Sequence, residues 1–288
     1  MVAQPPNVRD DLCDGSTVVE HEGARLFCTV EGREDGPWLL LSHGLATDLG
    51  MWEALAEALR SEHRILRYDA RGHGRSSGTP GEYSIDLLVA DAVAILDELG
   101  IAKAHFAGLS MGGMVGLGLA LGHPQRIESA VIANARGIGS PEYRKSWSER
   151  SLAVREHGLG ELVEPTVTRW FTSAFRSRAP ATVERFRAMI RNTSTDGYCG
   201  CAAALQQVDF ADQLHAMSVP ILFIAGSDDQ GVPPAVMQDL HARTPGSQYL
   251  EIPGAAHISN VEQPDAFSGA VARFIAGAGP GTDRPEDP

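Results

Sequence analysis

The chain has 288 residues, 43% apolar and 21% charged, the balance of a globular domain large enough to bury a substantial core. A formal net charge of −13 and a pI near 5.2 argue against a nucleic-acid partner, because holding phosphates requires a basic footprint. No apolar run approaches membrane-spanning length, and residues 1–13 are polar and proline-containing, so neither a membrane anchor nor a signal peptide is expected. Cys13, Cys28, Cys199 and Cys201 form no C-x-x-C pair, and free thiols in the cytoplasm are the expected state.

In chain order, Trp38–Ser42 (WLLLS) is a continuous apolar run, as in a strand buried on both faces. Residues 51–60 read as a helix and Arg64–Tyr68 as the next strand. Ser84 caps a helix in which Ile85, Leu88, Val89, Ala92, Leu96 and Leu99 recur at three- and four-residue spacing, ending at Gly100. Ala104–Leu109 is another strand, followed at once by a glycine-rich helix over 111–121. Gly112, Gly113, Gly116 and Gly118 each disfavour a helix by about 1 kcal/mol, so this one is expected deep in the fold, where close packing compensates. Ile127–Ala133 is again a strand.

From about Arg136 the strand-like runs stop and Arg/Glu-rich helical stretches such as 181–190 take over. The alternation returns with strands at 221–225 and Gln248–Ile252, a helix over 235–243 and a last helix over 264–276. The pattern predicts an α/β fold with a mostly parallel sheet flanked by helices. Residues 1–135 and 211–276 form its core, 136–210 an inserted helical cap, and the Gly/Pro/Asp-rich stretch 277–288 a tail without fixed structure. Residues 136–205 hold 11 Lys/Arg against 7 Asp/Glu, whereas the rest of the chain holds 13 against 30. Such a basic segment either steers an anionic substrate or consists of solvated helices whose arginines pair along the surface.

Gly108-Leu109-Ser110-Met111-Gly112 matches G-x-S-x-G, and its placement between an apolar strand and a glycine-rich helix fits a nucleophile held at a sharp turn. Flanking glycines are needed because a Cβ there would collide with the turn, and the helix N-terminus favours developing negative charge. A serine hydroxyl needs a base, and in this arrangement the acid and the histidine follow the serine in chain order, after later strands. His257 fits, in the small-residue stretch Gly254-Ala255-Ala256-His257 after Gln248–Ile252. His105 lies within a strand, and His21, His63, His123, His157, His215 and His241 fall at element ends expected to be exposed. Asp228 and Asp229 compete as the acid after 221–225; Asp229, further round the loop, is favoured. The oxyanion of the reaction needs two N–H donors, expected from Met111, after the nucleophile, and Leu45, after the first apolar strand. Gly44 lets that backbone approach the substrate, and His43 reads mainly as a structural residue of the loop. The stretch Asp69-Ala70-Arg71-Gly72-His73-Gly74-Arg75-Ser76 lies outside the triad order and is expected to fix backbone turns. No metal-ligand spacing and no phosphate-cradling loop is present in the sequence, so no cofactor is expected.

The elbow Gly108 to Gly113, the stretch Arg67-Tyr68-Asp69 to Ser76, and Ala256-His257-Ile258-Ser259-Asn260-Val261-Glu262-Gln263-Pro264 resemble the 3-oxoadipate enol-lactonase group of α/β-hydrolases. Arg169-Trp170-Phe171-Thr172 and Asp196-Gly197-Tyr198 are similar to that group's helical cap, so the resemblance runs over about 23–274. Those enol-lactonases tend to carry Asn-Ser-Leu-Gly where this chain has His43-Gly44-Leu45-Ala46, the commoner esterase-like form. The resemblance implies a hydrolase of a small, carboxylate-bearing lactone or ester. A cap closing over the site then offers Trp147, Trp170 and Tyr198 as apolar walls, and Arg144, Arg155 or Arg169 for the carboxylate, with His43 and Gly44 nearby. A broad carboxylesterase or C–C hydrolase would use the same triad, and a non-catalytic ligand receptor is the reading from another class. Oligomeric state is left open between monomer and homo-oligomer.

Overall fold

The computed structural model describes residues 15–277, within which the apolar runs pair into one eight-stranded sheet ordered β1-β2-β4-β3-β5-β6-β7-β8. The amino-terminal stretch with Cys13, and the tail expected over 277–288 apart from Gly277, lie outside the described residues. β1 (Ser16–His21) and β2 (Ala24–Gly32) form an antiparallel hairpin that the periodicity did not reveal. Its two-residue turn puts Glu22 and Gly23 at φ of 41° and 75°, the left-handed pair that matches the strand twist. Glutamate is not a usual residue there, which is why the turn is hard to read from sequence.

β3 (Trp38–Ser42) precedes a 3-10 turn at Leu49–Trp52 and α1 (Glu53–Leu59), so the helix expected over 51–60 begins as a tighter coil. β4 (Arg64–Tyr68) pairs parallel to β3, and α2 (Ile85–Glu98) starts at Ser84, whose Oγ accepts from Leu87 N–H at 3.1 Å. β5 (Ala104–Leu109) runs into α3 (Met111–Gly122), then β6 (Ile127–Ala133). Leu39, Leu40 and Leu41 of β3 are all 0% exposed, each contributing about 1.5–3 kcal/mol by leaving water. α3 lies directly against the sheet: a Cβ on Gly112 would stand 2.0 Å from the Ser42 carbonyl oxygen, and one on Gly116 2.5 Å from the Phe106 ring. The glycines therefore exchange helix propensity for closeness to the strands.

After β6 the chain forms α4 (Pro141–His157), α5 (Val163–Trp170), α6 (Ser173–Arg178), α7 (Pro180–Asn192) and α8 (Thr195–Gln206) before it rejoins the sheet. α4 packs on α8 and α5 on α7. β7 (Ile221–Gly226), α9 (Pro234–Arg243), β8 (Gln248–Ile252), the one-turn α10 (Ser259–Glu262) and α11 (Pro264–Ile275) are the remaining elements of the described residues. The helical layer meets the core at a glycine-on-glycine contact, where a Cβ on Gly197 would lie 2.5 Å from Gly72 Cα, and Ser194 N–H donates to Gly72 O at 3.1 Å. Among the described residues no helix is long and apolar enough to cross a membrane.

The loop 69–76 is held from several sides. Asp69 accepts from Leu49 and Arg75 N–H at 2.8 Å each, and the buried Arg71 donates Nε to Asp91 on α2 at 2.6 Å. His63, expected to be exposed, is buried, its ring edge-on to His105 at 6.3 Å. Cys28, Cys199 and Cys201 are buried free thiols.

Candidate active site

Strands β4-β3-β5-β6-β7-β8 run parallel, so the loops after β3, β5, β6, β7 and β8 emerge at one edge of the sheet, where open α/β folds carry their sites. Ser110 occupies the turn from β5 to α3 with φ 57° and ψ −114°, a conformation that L-residues resist. It is kept there by Ser110 N–H donating to Ala133 O at 2.8 Å and by glycine on both sides: a Cβ on Gly108 would meet Gly112 O at 2.2 Å. Of the four non-glycine residues with positive φ among the described residues, Ala46, Ser110 and Asn134 all belong to this edge. Backbone strain is thus concentrated where side chains must be aimed rather than merely packed.

His257 Nε2 stands 3.0 Å from Ser110 Oγ, and His257 Nδ1 stands 2.7 Å from Asp229 Oδ2. An ionised carboxylate only accepts, so Nδ1 carries the proton and the free Nε2 lone pair faces the serine hydroxyl. Asp229 is 3% exposed and takes further hydrogen bonds from Gly231 N–H (2.8 Å), Val232 N–H (2.9 Å) and Asn134 Nδ2 (2.9 Å). Burial by itself would raise this carboxyl, but His257 and the N–H donors around it outweigh that and hold it below the usual aspartate range. The competing Asp228 is exposed and accepts from Ser227 Oγ at 2.8 Å, away from the imidazole.

The loop after β3 passes against the serine: a Cβ on Gly44 would come 3.5 Å from Ser110 Cβ. Among the described residues, the N–H groups of Leu45 and Met111 have no hydrogen-bond partner, and Met111 N–H is one of the free donors at the start of α3. Two neutral imidazoles brace this loop. His43 Nδ1 donates to Gly44 O at 2.8 Å while its Nε2 accepts from Ala70 N–H at 2.8 Å. His73 Nε2 accepts from Ala46 N–H at 3.0 Å, and its Nδ1 donates to Arg71 O at 3.0 Å. Burial, reinforced by His43 alongside, pushes His73 down to about 3, so it stays uncharged. His43 is 0% exposed with both nitrogens occupied and does not line the cavity, so it braces the loop instead of standing beside the substrate with Gly44 as the resemblance implied.

Between this edge and the helices α4–α8 lies a cavity of about 350 Å³ with Ser110 and His257 on its floor. Gly44, Leu45, Trp147, Trp170, Tyr198 and Arg169 line it, as the sequence led one to expect. Arg144 and Arg155 do not: both are exposed. On α4 the inward positions are Tyr143, Trp147, Arg150 and Val154, a four-three-four spacing, and Arg144 and Arg155 each sit one residue, about 100°, round from that stripe. The cavity's other cations are Arg136 and Arg150.

Residues 37–264 match the α/β-hydrolase fold family. The chain belongs to the α/β-hydrolases. This hydrolase is 40% identical over 241 residues to 3-oxoadipate enol-lactonase 2 of Acinetobacter baylyi, a match covering 83% of this chain and 89% of that one. Its fold superposes on a hydrolase from Pseudomonas aeruginosa with a TM-score of 0.88 at 39% identity, covering 92% of this chain and 99% of the other. It superposes on the enol-lactonase from Burkholderia xenovorans with a TM-score of 0.87 at 36% identity, covering 90% and 100%.

Electrostatically the cavity of this hydrolase is lopsided. Among the described residues none of Arg136, Arg150 and Arg169 pairs with a carboxylate. Arg136 donates to Gly231 O at 3.1 Å, Arg150 lies 4.6 Å over the Trp147 ring, and Arg169 reaches only Thr166 Oγ1 at 3.3 Å. Burial and the neighbouring Arg150 both lower Arg169 below the usual guanidinium range, the mark of a cation short of counter-charge. By contrast Arg187, Arg191 and Arg185 on α7 pair with Glu164, Glu184 and Glu53, so the basic segment divides between solvated surface and cavity wall.

The sequence reading missed Arg136, Arg150, Tyr143 and Asn134. Arg150 was signalled only by standing three residues after Trp147 on one helical face, and Asn134 by following a strand directly. It also missed the interior of α10, where Ser259 Oγ donates to Asn134 Oδ1 at 2.6 Å and Asn260 Nδ2 to Met51 O at 2.8 Å.

Proposed function

We propose that this chain opens small carboxylate-bearing lactones or esters through an acyl-enzyme on Ser110, in the manner its enol-lactonase relatives' name implies. The observation that carries this reading is the hydroxyl–imidazole–carboxylate chain at the floor of a cavity holding three guanidiniums without carboxylate partners. His257 removes the Ser110 proton as Oγ bonds to the substrate carbonyl carbon, and the N–H groups of Leu45 and Met111 receive the oxyanion. Collapse breaks the bond to the ring or ester oxygen, which takes the proton from His257. Water, deprotonated by His257, then attacks the acyl carbon; expulsion of Ser110 Oγ, reprotonated by His257, leaves a free acid. For a lactone, the released hydroxyl and the new acid stay on one molecule. Arg169 and Arg150 hold the substrate's carboxylate, and the aromatic walls Trp147, Trp170 and Tyr198 exclude water from it. Burial pushes Tyr198 up to about 12, so it offers a neutral hydroxyl rather than a second negative charge.

The expected substrate is small and anionic, the expected compartment the cytoplasm. A broader carboxylesterase or C–C hydrolase is the second reading, favoured by the His43-Gly44-Leu45-Ala46 form of the oxyanion loop. A panel of small carboxylate-bearing lactones, their methyl esters and neutral p-nitrophenyl esters separates the two. The charged lactones should be preferred in kcat/KM, and equal rates on charged and neutral members would favour the esterase. In Ser110→Ala, turnover of every member should fall about 10⁴–10⁶-fold with the fold retained; parent-level activity in that folded variant would refute the nucleophile.

A further inference from the structure

α10 begins two residues after His257, and its three buried polar side chains each tie that loop to a different part of the molecule. Ser259 reaches Asn134, which holds Asp229; Asn260 reaches Met51 beside α1; Glu262 reaches the helices over the cavity. The last tie is the unusual one. Glu262 is 1% exposed, and among the described residues no cation pairs with its carboxylate; Arg178 donates to its main-chain oxygen instead, at 2.8 Å. The carboxylate takes only neutral donors: Thr172 N–H at 3.0 Å and Thr172 Oγ at 2.7 Å on one oxygen, Ala256 N–H at 2.5 Å on the other. An unpaired buried charge is a costly way to join two segments, since an apolar contact of the same volume would stabilise the fold at least as well. What the carboxylate supplies instead is direction, because its two oxygens fix two backbones relative to each other.

Those two backbones lead to the two halves of the site. Ala256 immediately precedes His257, and Thr172 follows Arg169 and Trp170 by three and two residues. A second bond runs in parallel, Ile258 N–H donating to Trp170 O at 3.2 Å. We infer that Glu262 is a positioning residue that couples the seating of the cap to the placement of His257, so that the imidazole is aimed at Ser110 only while the cap segment 170–172 is docked. This rests on the reading of His257 as the base.

The test uses Glu262→Gln, which keeps the shape but turns one acceptor toward a backbone N–H into a donor. On both p-nitrophenyl acetate and a carboxylate-bearing ester, kcat should fall about 10–100-fold with KM within about threefold, since small misplacement of a catalytic group costs rate rather than binding. Fluorophosphonate labelling of Ser110 should slow by the same factor. Thr172→Val, which removes the hydroxyl that donates to Glu262 and caps α6, should give a smaller loss of the same kind, Thr172→Ser should restore it, and the double variant Glu262→Gln/Thr172→Val should be no slower than Glu262→Gln. Should Glu262→Gln fail to fold, the Thr172 pair carries the test. A lowered melting temperature with kcat within twofold of the parent would overturn the inference, as would a change confined to KM for the charged ester or strictly additive losses in the double variant. A fully active His257→Ala would instead remove the underlying reading, so the two failures are distinguishable.

Discussion

The sheet edge and the helical cap build this site by opposite means. At the sheet edge, placement is made by backbone: Ala46, Ser110 and Asn134 sit at positive φ, and glycines at 108 and 112 admit contacts that a Cβ would block. In α4–α8 no non-glycine residue has positive φ, and the side chains facing the cavity are those that helical periodicity happens to turn inward. On the proposed function, chemistry that tolerates little displacement is mounted on strained strand ends, and recognition on regular helices whose inner face can be exchanged residue by residue. The cavity-facing side chains divide in the same way, and the cap bears on rate only through its seating by Glu262 on Thr172.

Variants of each region put that division to the test. After Ser110→Ala, Asp229→Asn should have the largest effect, lowering kcat about 10³–10⁴-fold on charged and neutral esters alike, because an amide facing Nδ1 favours the wrong imidazole tautomer. Steady-state kinetics with a melting curve to confirm folding would check it. Arg169→Gln belongs to the other region and should raise KM for the carboxylate-bearing ester about 10–100-fold while leaving p-nitrophenyl acetate within twofold. If Arg169→Gln slowed the neutral ester as strongly, Arg169 would act on rate rather than on recognition and the contrast would fail.

The smallest effect concerns acid stability on the sheet side. His73 is depressed to about 3 in the fold and titrates near 6.5 when unfolded. Above pH 6.5 both states are neutral there; below it the unfolded chain binds a proton that the native chain refuses. Stability is then lost as pH falls from about 6.5 toward 3, by up to about 1.4 kcal/mol per pH unit from this residue. Denaturant titrations at pH 7, 6 and 5 should show that slope, and His73→Gln, whose amide oxygen can still accept from Ala46 N–H, should flatten it by about one proton's worth. An unchanged slope in the variant would mean that His73 does not brace the loop in neutral form.

The α/β-hydrolase fold and the meeting of Ser110 with His257 were legible because they are written in short spans: an apolar strand, a G-x-S-x-G turn and a glycine-rich helix. The β1–β2 hairpin was not, since its turn residue Glu22 gives no local sign of the left-handed backbone it adopts. Arg169 was legible as a cavity cation, whereas Arg144 and Arg155 were offered beside it and Arg136 and Arg150, which line the cavity, were not. Composition shows that a helix is basic but not which of its faces the sheet will lie beneath.

Local sequence alone determined the elements, their order and the residue types able to do ester chemistry, because turn, strand and helix preferences act over a few positions. Which aspartate meets the imidazole, which arginines face the cavity, and that Glu262 meets Arg178 and Thr172, 84 and 90 positions away, was decided only when the chain packed. Those choices depend on distances between segments remote in sequence, and no local preference encodes them.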